Sequence, residues 1–126
     1  MLVRIWAVVN ITKPKCMTLS KFFKGKQLPA EDLGDGLSRK ILGHDHEIMM
    51  VQIDFENGAI GQAHHHLHRQ TSYIVSGRFE VSIGNETQTM GAGDAFYVEP
   101  DEVHGVVCLE AGTLIDVFNP ASEDFI

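Results

Sequence analysis

Four histidines lie within five residues of this chain, at positions 64, 65, 66 and 68. In an extended segment the side chains alternate between two faces, so His64 and His66 project to one side and His65 to the other. Two imidazoles on one face of a strand can hold one metal ion. The alternative is a solvated histidine cluster on a loop. The spacing therefore favours a metal site that includes His64 and His66.

The sequence around these histidines has the alternation of β-strands, and amphipathic helical periodicity is nearly absent. Apolar and polar residues alternate over residues 48–55 and 79–83. Gly84-Asn85 is typical of a two-residue hairpin loop that leads to a return strand at 86–90. Further strands are predicted at residues 95–98, 103–107 and 114–118, and only residues 30–33 could form a short helical turn. Short strands at this spacing predict an all-β sandwich or barrel, of which a jelly roll closes most economically at this length.

Charge and composition exclude several classes of partner. Ten Lys and Arg residues against seventeen Asp and Glu residues give a formal charge of −7, which disfavours nucleic acid and anionic membrane surfaces. The apolar amino end, residues 1–11, is interrupted by Arg4 and Asn10 and is far shorter than the roughly 20 residues of a membrane span. We therefore expect no nucleic-acid partner and no membrane partner. A small anionic substrate would need a local positive charge.

The ends of the chain and its two cysteines suggest its organisation and location. Cys16 and Cys108 have no CxxC spacing, so reduced thiols and a cytoplasmic location are the simplest interpretation, although one long-range bridge stays open. Residues 1–36 are interpreted as an amino-terminal arm that begins with an apolar strand, and residues 37–126 as the barrel of a single domain. Pairing of that strand with a neighbouring subunit predicts a homodimer, whereas Met17 is an alternative start.

Two groups of residues resemble the motifs of the cupin superfamily. The first comprises Gly58, His64, His66, Gln70 and Gly77, and the second comprises Gly93-Asp94, Pro100 and His104. The resemblance covers roughly residues 37–120 and implies a small cupin-type jelly-roll β-barrel. It also implies one divalent metal per chain, held by His64, His66, Gln70 and His104. Three imidazoles and an amide suit Ni, Zn, Mn, Fe or Co alike.

Gln70 stands where many cupins have glutamate. An amide oxygen is a neutral and weaker ligand than a carboxylate, so four neutral ligands leave the full charge of a divalent ion uncompensated. Such an ion favours an anionic substrate and Lewis-acid chemistry over oxygen chemistry. The alternative is that three histidines bind the ion and Gln70 is only a hydrogen-bond partner of a ligand.

A closer resemblance is carried by the alternating string His64-x-His66-x-His68-x-Gln70, the hairpin at residues 76–84 and the carboxyl-terminal residues 116–125. These are similar to the pectin-degradation proteins of the KdgF type. The resemblance implies conversion of cyclic 4,5-unsaturated monouronates into linear keto sugars, with Asp116 and Phe118 in the catalytic pocket. The family has an arginine six residues after the aspartate, and this chain has Ser122 there.

Asp116 has a chemical interpretation of its own. It shares strand parity with Phe118 in an apolar run, and if that face is the barrel interior, desolvation raises the pKa of its carboxyl towards a useful acid-base range. The alternatives are an edge-strand aspartate that faces water, and a Phe118 that only fills the core. Without an arginine at 122, carboxylate binding falls to the metal or to a basic side chain, for which the candidates are Arg39, Lys40, Arg69 and Arg78.

The residues and the resemblance together predict ring opening and tautomerisation of an unsaturated uronate or a related sugar acid. Two other functions stay open. One is an iron-dependent cupin dioxygenase that consumes oxygen, and the other is a non-catalytic cupin that binds a sugar acid.

Overall fold

The computed structural model describes residues 20–121, so the predicted amino-terminal strand, Cys16 and Ser122 lie outside the described residues. Within that range a short 3-10 helix at Gly25–Gln27 precedes eight strands. These are β1 (Glu31–Gly34), β2 (Leu37–His44), β3 (Met49–Phe55), β4 (Ile60–His64), β5 (Arg69–Ile83), β6 (Glu86–Gly91), β7 (Ala95–Val98) and β8 (His104–Asn119). The all-β prediction is confirmed. The described part of the chain contains no helix that is long and apolar enough to cross a membrane.

The strands form one antiparallel sheet in which β5 and β8 are central. The order is β1-β2-β3-β8-β5-β6, while β4 pairs with β8 and β7 pairs with β5. The β5–β8 register runs from Arg69 opposite Asn119 to Ile83 opposite His104. Each of these two long strands therefore contacts three others, and side chains from both can reach one interior.

The interior changes character along β5. Gln70, Ser72 and Ile74 are all buried, at alternate positions of the strand. The larger apolar cluster includes Ile74 and the edge-to-face pair of Phe55 and Phe79, whose ring centroids are 5.0 Å apart. The inward face of β5 is thus apolar from Ile74 onward and polar before it, which leaves a polar position in the interior at one end of the core.

The strands predicted at residues 86–90 and 95–98 are present, and those predicted at 48–55 and 79–83 correspond to β3 and to the end of β5, whereas β1, β2, β4 and residues 69–78 of β5 were not predicted. The hairpin at Gly84-Asn85 is present, with Gly84 at φ +59° and β6 as the return strand. Residues 104–107 and 114–118, however, are not two separate strands, because both lie in one continuous strand, β8, which begins one residue after the predicted start at 103. The reason is that Gly112 fits directly against the backbone of Ser76 and Gly77, so β8 stays paired with β5 between the two predicted segments.

The prediction of a helical turn at residues 30–33 is wrong. That segment is in β1, whose Glu31 lies opposite Arg39 of β2. A tight reversal makes this pairing possible, since Gly34, Asp35 and Gly36 all have positive φ angles, of 82°, 54° and 83°. β1 lies inside the predicted amino-terminal arm and pairs with β2 of the predicted barrel, and the proposed division at residue 37 stays a prediction.

Candidate metal centre

Three histidines from two strands and a loop converge at one end of the sheet. His64 ends β4, His66 lies in the following loop, and His104 begins β8 directly opposite His64. One ligand atom from each lies within 4.8 Å of the others, and this is the only such group of three or more His, Cys, Asp or Glu within residues 20–121. His65 points away and contacts Asp101, at 3.0 Å, as the alternation of side chains predicts.

Hydrogen bonds to backbone carbonyls fix the tautomer of all three imidazoles. The Nδ1 atoms of His64, His66 and His104 lie 2.8, 3.0 and 2.9 Å from the carbonyl oxygens of Gln62, His68 and Glu102 respectively. A carbonyl oxygen only accepts, so each Nδ1 carries the proton and each Nε2 keeps a lone pair. This arrangement orients histidines that bind a metal through Nε2.

His104 gives the strongest indication that these Nε2 lone pairs are available to bind a cation. Its Nε2 atom is buried and has no hydrogen-bond partner within the described residues. Burial holds the pKa of His104 below its ordinary value, and the neighbouring His64 and His66 add to that effect. A buried polar atom without a partner is costly, and a metal ion would satisfy it. The residues present therefore fit a metal site.

Gln70 directs its amide oxygen at the histidine cluster. Its Nε2 donates a hydrogen bond to Ser72 Oγ at 2.9 Å, and its Oε1 lies 3.0 Å from His66 Nε2. Because the proton of His66 is on Nδ1, its Nε2 atom and the Oε1 atom of Gln70 are both acceptors. Two acceptors 3.0 Å apart need a proton or a metal ion between them. That oxygen is therefore placed as a fourth ligand would be, and ligation by Gln70 stays a prediction.

Asp116 lies in the same interior and is not an edge residue that faces water. It is buried on β8, and Ser72 Oγ donates a hydrogen bond to its Oδ1 at 2.6 Å. Burial raises the pKa of Asp116 to about 6, although the Ser72 hydrogen bond and the nearby His66 oppose the shift. A carboxyl with this pKa can exchange a proton near neutral pH.

A cavity of about 140 Å³ joins these groups. Its polar lining comes from His64, Gln70, His104 and Asp116, and apolar side chains complete it. Phe118, on this wall, packs edge-on against His66 at 5.8 Å between ring centroids and also belongs to a small apolar cluster with Met49 and Val51. Phe118 is thus both core and pocket wall.

None of the basic residues considered for carboxylate binding lines this cavity. Arg39 pairs with Glu31, Arg78 pairs with Glu110, Arg69 donates to the Tyr97 hydroxyl, and Lys40 donates to the carbonyl of Gly25. His44 and His46, the other closely spaced histidines, are not part of the converging group. No Arg or Lys side chain among residues 20–121 lines this cavity, and a metal ion held by the histidines would supply positive charge there.

Ser72 is the site residue that the sequence pattern did not reveal. Its hydroxyl links Gln70 to Asp116, and the side chain is 2% exposed. The available signal was parity, because Ser72 shares a strand face with Gln70. Serine is common on strands and turns, so its type alone did not mark it.

Comparisons with known proteins agree with this geometry. A cupin domain model matches residues 51–118, a range that contains the histidine cluster, Gln70, Asp116 and Phe118. The pectin degradation protein KdgF of Dickeya dadantii is 43% identical over 110 residues, which are 86% of this chain and 100% of that protein.

Solved structures give the same result. An RmlC-like cupin from Shewanella frigidimarina is 46% identical with a TM-score of 0.84, covering 86% of this chain and 97% of the other. KdgF from Halomonas sp. is 35% identical with a TM-score of 0.82, covering 86% and 100%. This chain therefore belongs to the cupin domain family, and its sheet is the jelly roll of that family.

Proposed function

We propose that this protein is a metal-dependent cupin that opens the ring of a 4,5-unsaturated monouronate and releases the linear keto acid. The observation that carries the proposal is that the buried carboxyl of Asp116 lines the same cavity as His64 and His104, two of the three histidines that converge with His66. Similarity to two KdgF proteins, one of them named for pectin degradation, supports the substrate class.

The reaction is an isomerisation and needs only proton transfers and charge stabilisation. The hydroxyl on carbon 1 loses its proton, the bond between carbon 1 and the ring oxygen breaks, and carbon 4 gains a proton as carbon 5 becomes a ketone. A single carboxyl that both accepts and donates a proton can serve the two ends of this exchange. Asp116 has the burial and the raised pKa for that role, and Ser72 holds it in place.

A divalent ion held by the three imidazoles, with Gln70 at its side, would supply positive charge for the substrate carboxylate and for the oxygen that becomes negative. The three imidazoles and the Gln70 amide are neutral ligands, so they would leave the charge of the ion uncompensated. Phe118, Phe96 and Leu114 add apolar walls to the cavity, and exclusion of water strengthens the electrostatic interactions inside it.

The test is an ultraviolet assay with the full-length protein loaded separately with each of Ni, Zn, Mn, Fe and Co. Loss of the absorbance of the ring double bond of 4,5-unsaturated monouronate should accelerate, without oxygen consumption and with no acceleration after chelation. Oxygen uptake that depends on iron would indicate a dioxygenase instead. Binding of the uronate without turnover for any of these metals would indicate a non-catalytic binding protein.

Asp116→Asn should lower the rate on the order of a hundred- to ten-thousand-fold, because an amide cannot exchange a proton at neutral pH. Metal content should be retained. The control is Asp94→Asn, at an exposed turn residue that accepts a hydrogen bond from Gly91 and does not line the cavity. Equal rates for Asp116→Asn and the wild type would show that Asp116 is not the proton carrier.

A further inference from the structure

One hydroxyl group connects the predicted amide ligand of the metal site to the buried carboxyl. Ser72 Oγ lies 2.9 Å from Gln70 Nε2 and 2.6 Å from Asp116 Oδ1, and all three side chains are buried. Ser72 faces Asp116 directly in the β5–β8 register, and Gln70 is two residues earlier on the same face of β5. The backbone pairing therefore fixes the order Gln70, Ser72, Asp116.

The Ser72 hydroxyl determines which group donates and which accepts in each of these two hydrogen bonds. A serine hydroxyl has one hydrogen and two lone pairs. The carboxylate of Asp116 takes the hydrogen, so Ser72 can offer Gln70 only a lone pair. The side-chain amide of Gln70 must then present its NH₂ group to Ser72, and its oxygen is turned towards His66 Nε2, 3.0 Å away.

We propose that Ser72 is a positioning residue that selects the amide orientation of Gln70 and so directs its oxygen to the metal. An amide can rotate by 180° at little steric cost, and the opposite orientation would present two N–H donors to the ion, which cannot ligate it. Ser72 prevents that orientation because its hydrogen is already committed to Asp116. The proposal depends on metal binding alone and not on the reaction proposed above.

The experiment is a double-mutant cycle on Co²⁺ affinity, measured by competition with a chelator in the full-length protein. Ser72→Ala should weaken Co²⁺ binding about 10- to 100-fold, the usual loss when a partner of a metal ligand is removed. In a Gln70→Ala background the same substitution should change the affinity by less than about twofold, because there is no amide left to orient. The visible absorption of bound Co²⁺ should change alike in Ser72→Ala and Gln70→Ala, since both lose the amide oxygen.

Two further variants separate positioning from general loss of structure. Ser72→Thr keeps the hydroxyl and should bind Co²⁺ more tightly than Ser72→Ala. Ser82→Ala removes another hydrogen-bonded hydroxyl from β5, one that contacts Thr87 outside the cavity, and should leave the affinity unchanged. A loss of affinity for Ser72→Ala that is equally large with and without Gln70, or no loss in either background, would overturn the proposal. Because no step uses the uronate, a failure of the enzymatic assay does not affect this outcome.

Discussion

Burial of Asp116 links its ionisation to the stability of the fold. Its pKa is raised from the ordinary 3.8 to about 6 in the folded protein, chiefly by desolvation. A carboxyl whose pKa is higher in the folded protein binds its proton more tightly there than in the unfolded chain. Its contribution to stability is therefore fully present below pH 3.8 and is lost as the pH rises through about 6.

Asp116→Asn should remove this pH dependence, because the amide is neutral at every pH in the range and can still accept from Ser72. In chelator-treated protein at pH 7.5 we expect the variant to be more stable than the wild type by about 2 to 3 kcal/mol. At pH 4 the two should unfold at nearly the same urea concentration. A stability difference that is the same at both pH values would contradict this account of the carboxyl.

Spacing alone indicated His64 and His66, strand parity indicated Asp116, and the family resemblance implied Gln70, His104 and Phe118. His64, His66, Gln70, His104, Asp116 and Phe118 all lie around one small volume. Ser72 could not be found in this way, because its importance comes from the register of two strands whose residues are 44 positions apart. Cross-strand register is set by long-range packing and not by the local pattern of either strand.

At the scale of the elements, β5 and β8 position the site, and two glycines allow their pairing. A Cβ atom on Gly77, which has a φ of +87°, would lie 2.6 Å from the carbonyl oxygen of Glu110. A Cβ atom on Gly112 would collide with the carbonyl of Ser76. Because these two glycines have no side chain, the backbones of β5 and β8 can approach closely. This close approach lies where the register between the two strands shifts.

Gly112→Ala should destabilise the protein by roughly 3 kcal/mol, because backbone rather than a mobile side chain occupies the space of the new methyl group. The matched control is Gly25→Ala, where a Cβ atom would meet nothing within 4 Å. Urea unfolding of the two variants compares them directly. Similar midpoints for both variants would mean that the close approach at Gly112 does not constrain the fold.

The local sequence pattern predicted individual strand segments, but it did not predict that two of them belong to one strand, β8. Residues 49–55, 86–90 and 95–98 are strands as predicted, because alternation and turn residues are local signals. Gly112 lies between the two segments predicted at residues 103–107 and 114–118, and in the structure it permits a continuous β8. Glycine marks turns and close backbone approaches alike, and only the partner strand distinguishes them.

At the scale of the whole molecule, apolar side chains are exposed on strands β3, β5 and β7 of the sheet. Met50 on β3, Tyr73 and Val75 on β5 and Tyr97 on β7 are each 39 to 50% exposed. Exposed apolar surface of this kind is typical of protein interfaces. The homodimer expected from the sequence was inferred from the amino-terminal segment, and it stays a prediction.

Deletion of residues 1–16 should weaken the predicted dimer or cause aggregation, because the apolar amino-terminal segment is expected to pair with a second subunit. Light scattering after size exclusion, applied to a chain of 14.0 kDa, gives the mass directly. A shortened protein that is monomeric like the full-length chain, equally soluble and with an unchanged melting temperature would contradict this role of residues 1–16.

The central claim is that His64, His66 and His104 hold one divalent ion per chain, and elemental analysis of untagged protein tests it most directly. The wild type purified without affinity resin should contain about one equivalent of a divalent transition metal. His104→Ala should lose most of it, because the variant lacks the buried Nε2 that has no other partner among the described residues, while circular dichroism still shows a folded β-sheet protein. A full equivalent of metal in folded His104→Ala, or none in the wild type after metal is supplied, would contradict the account.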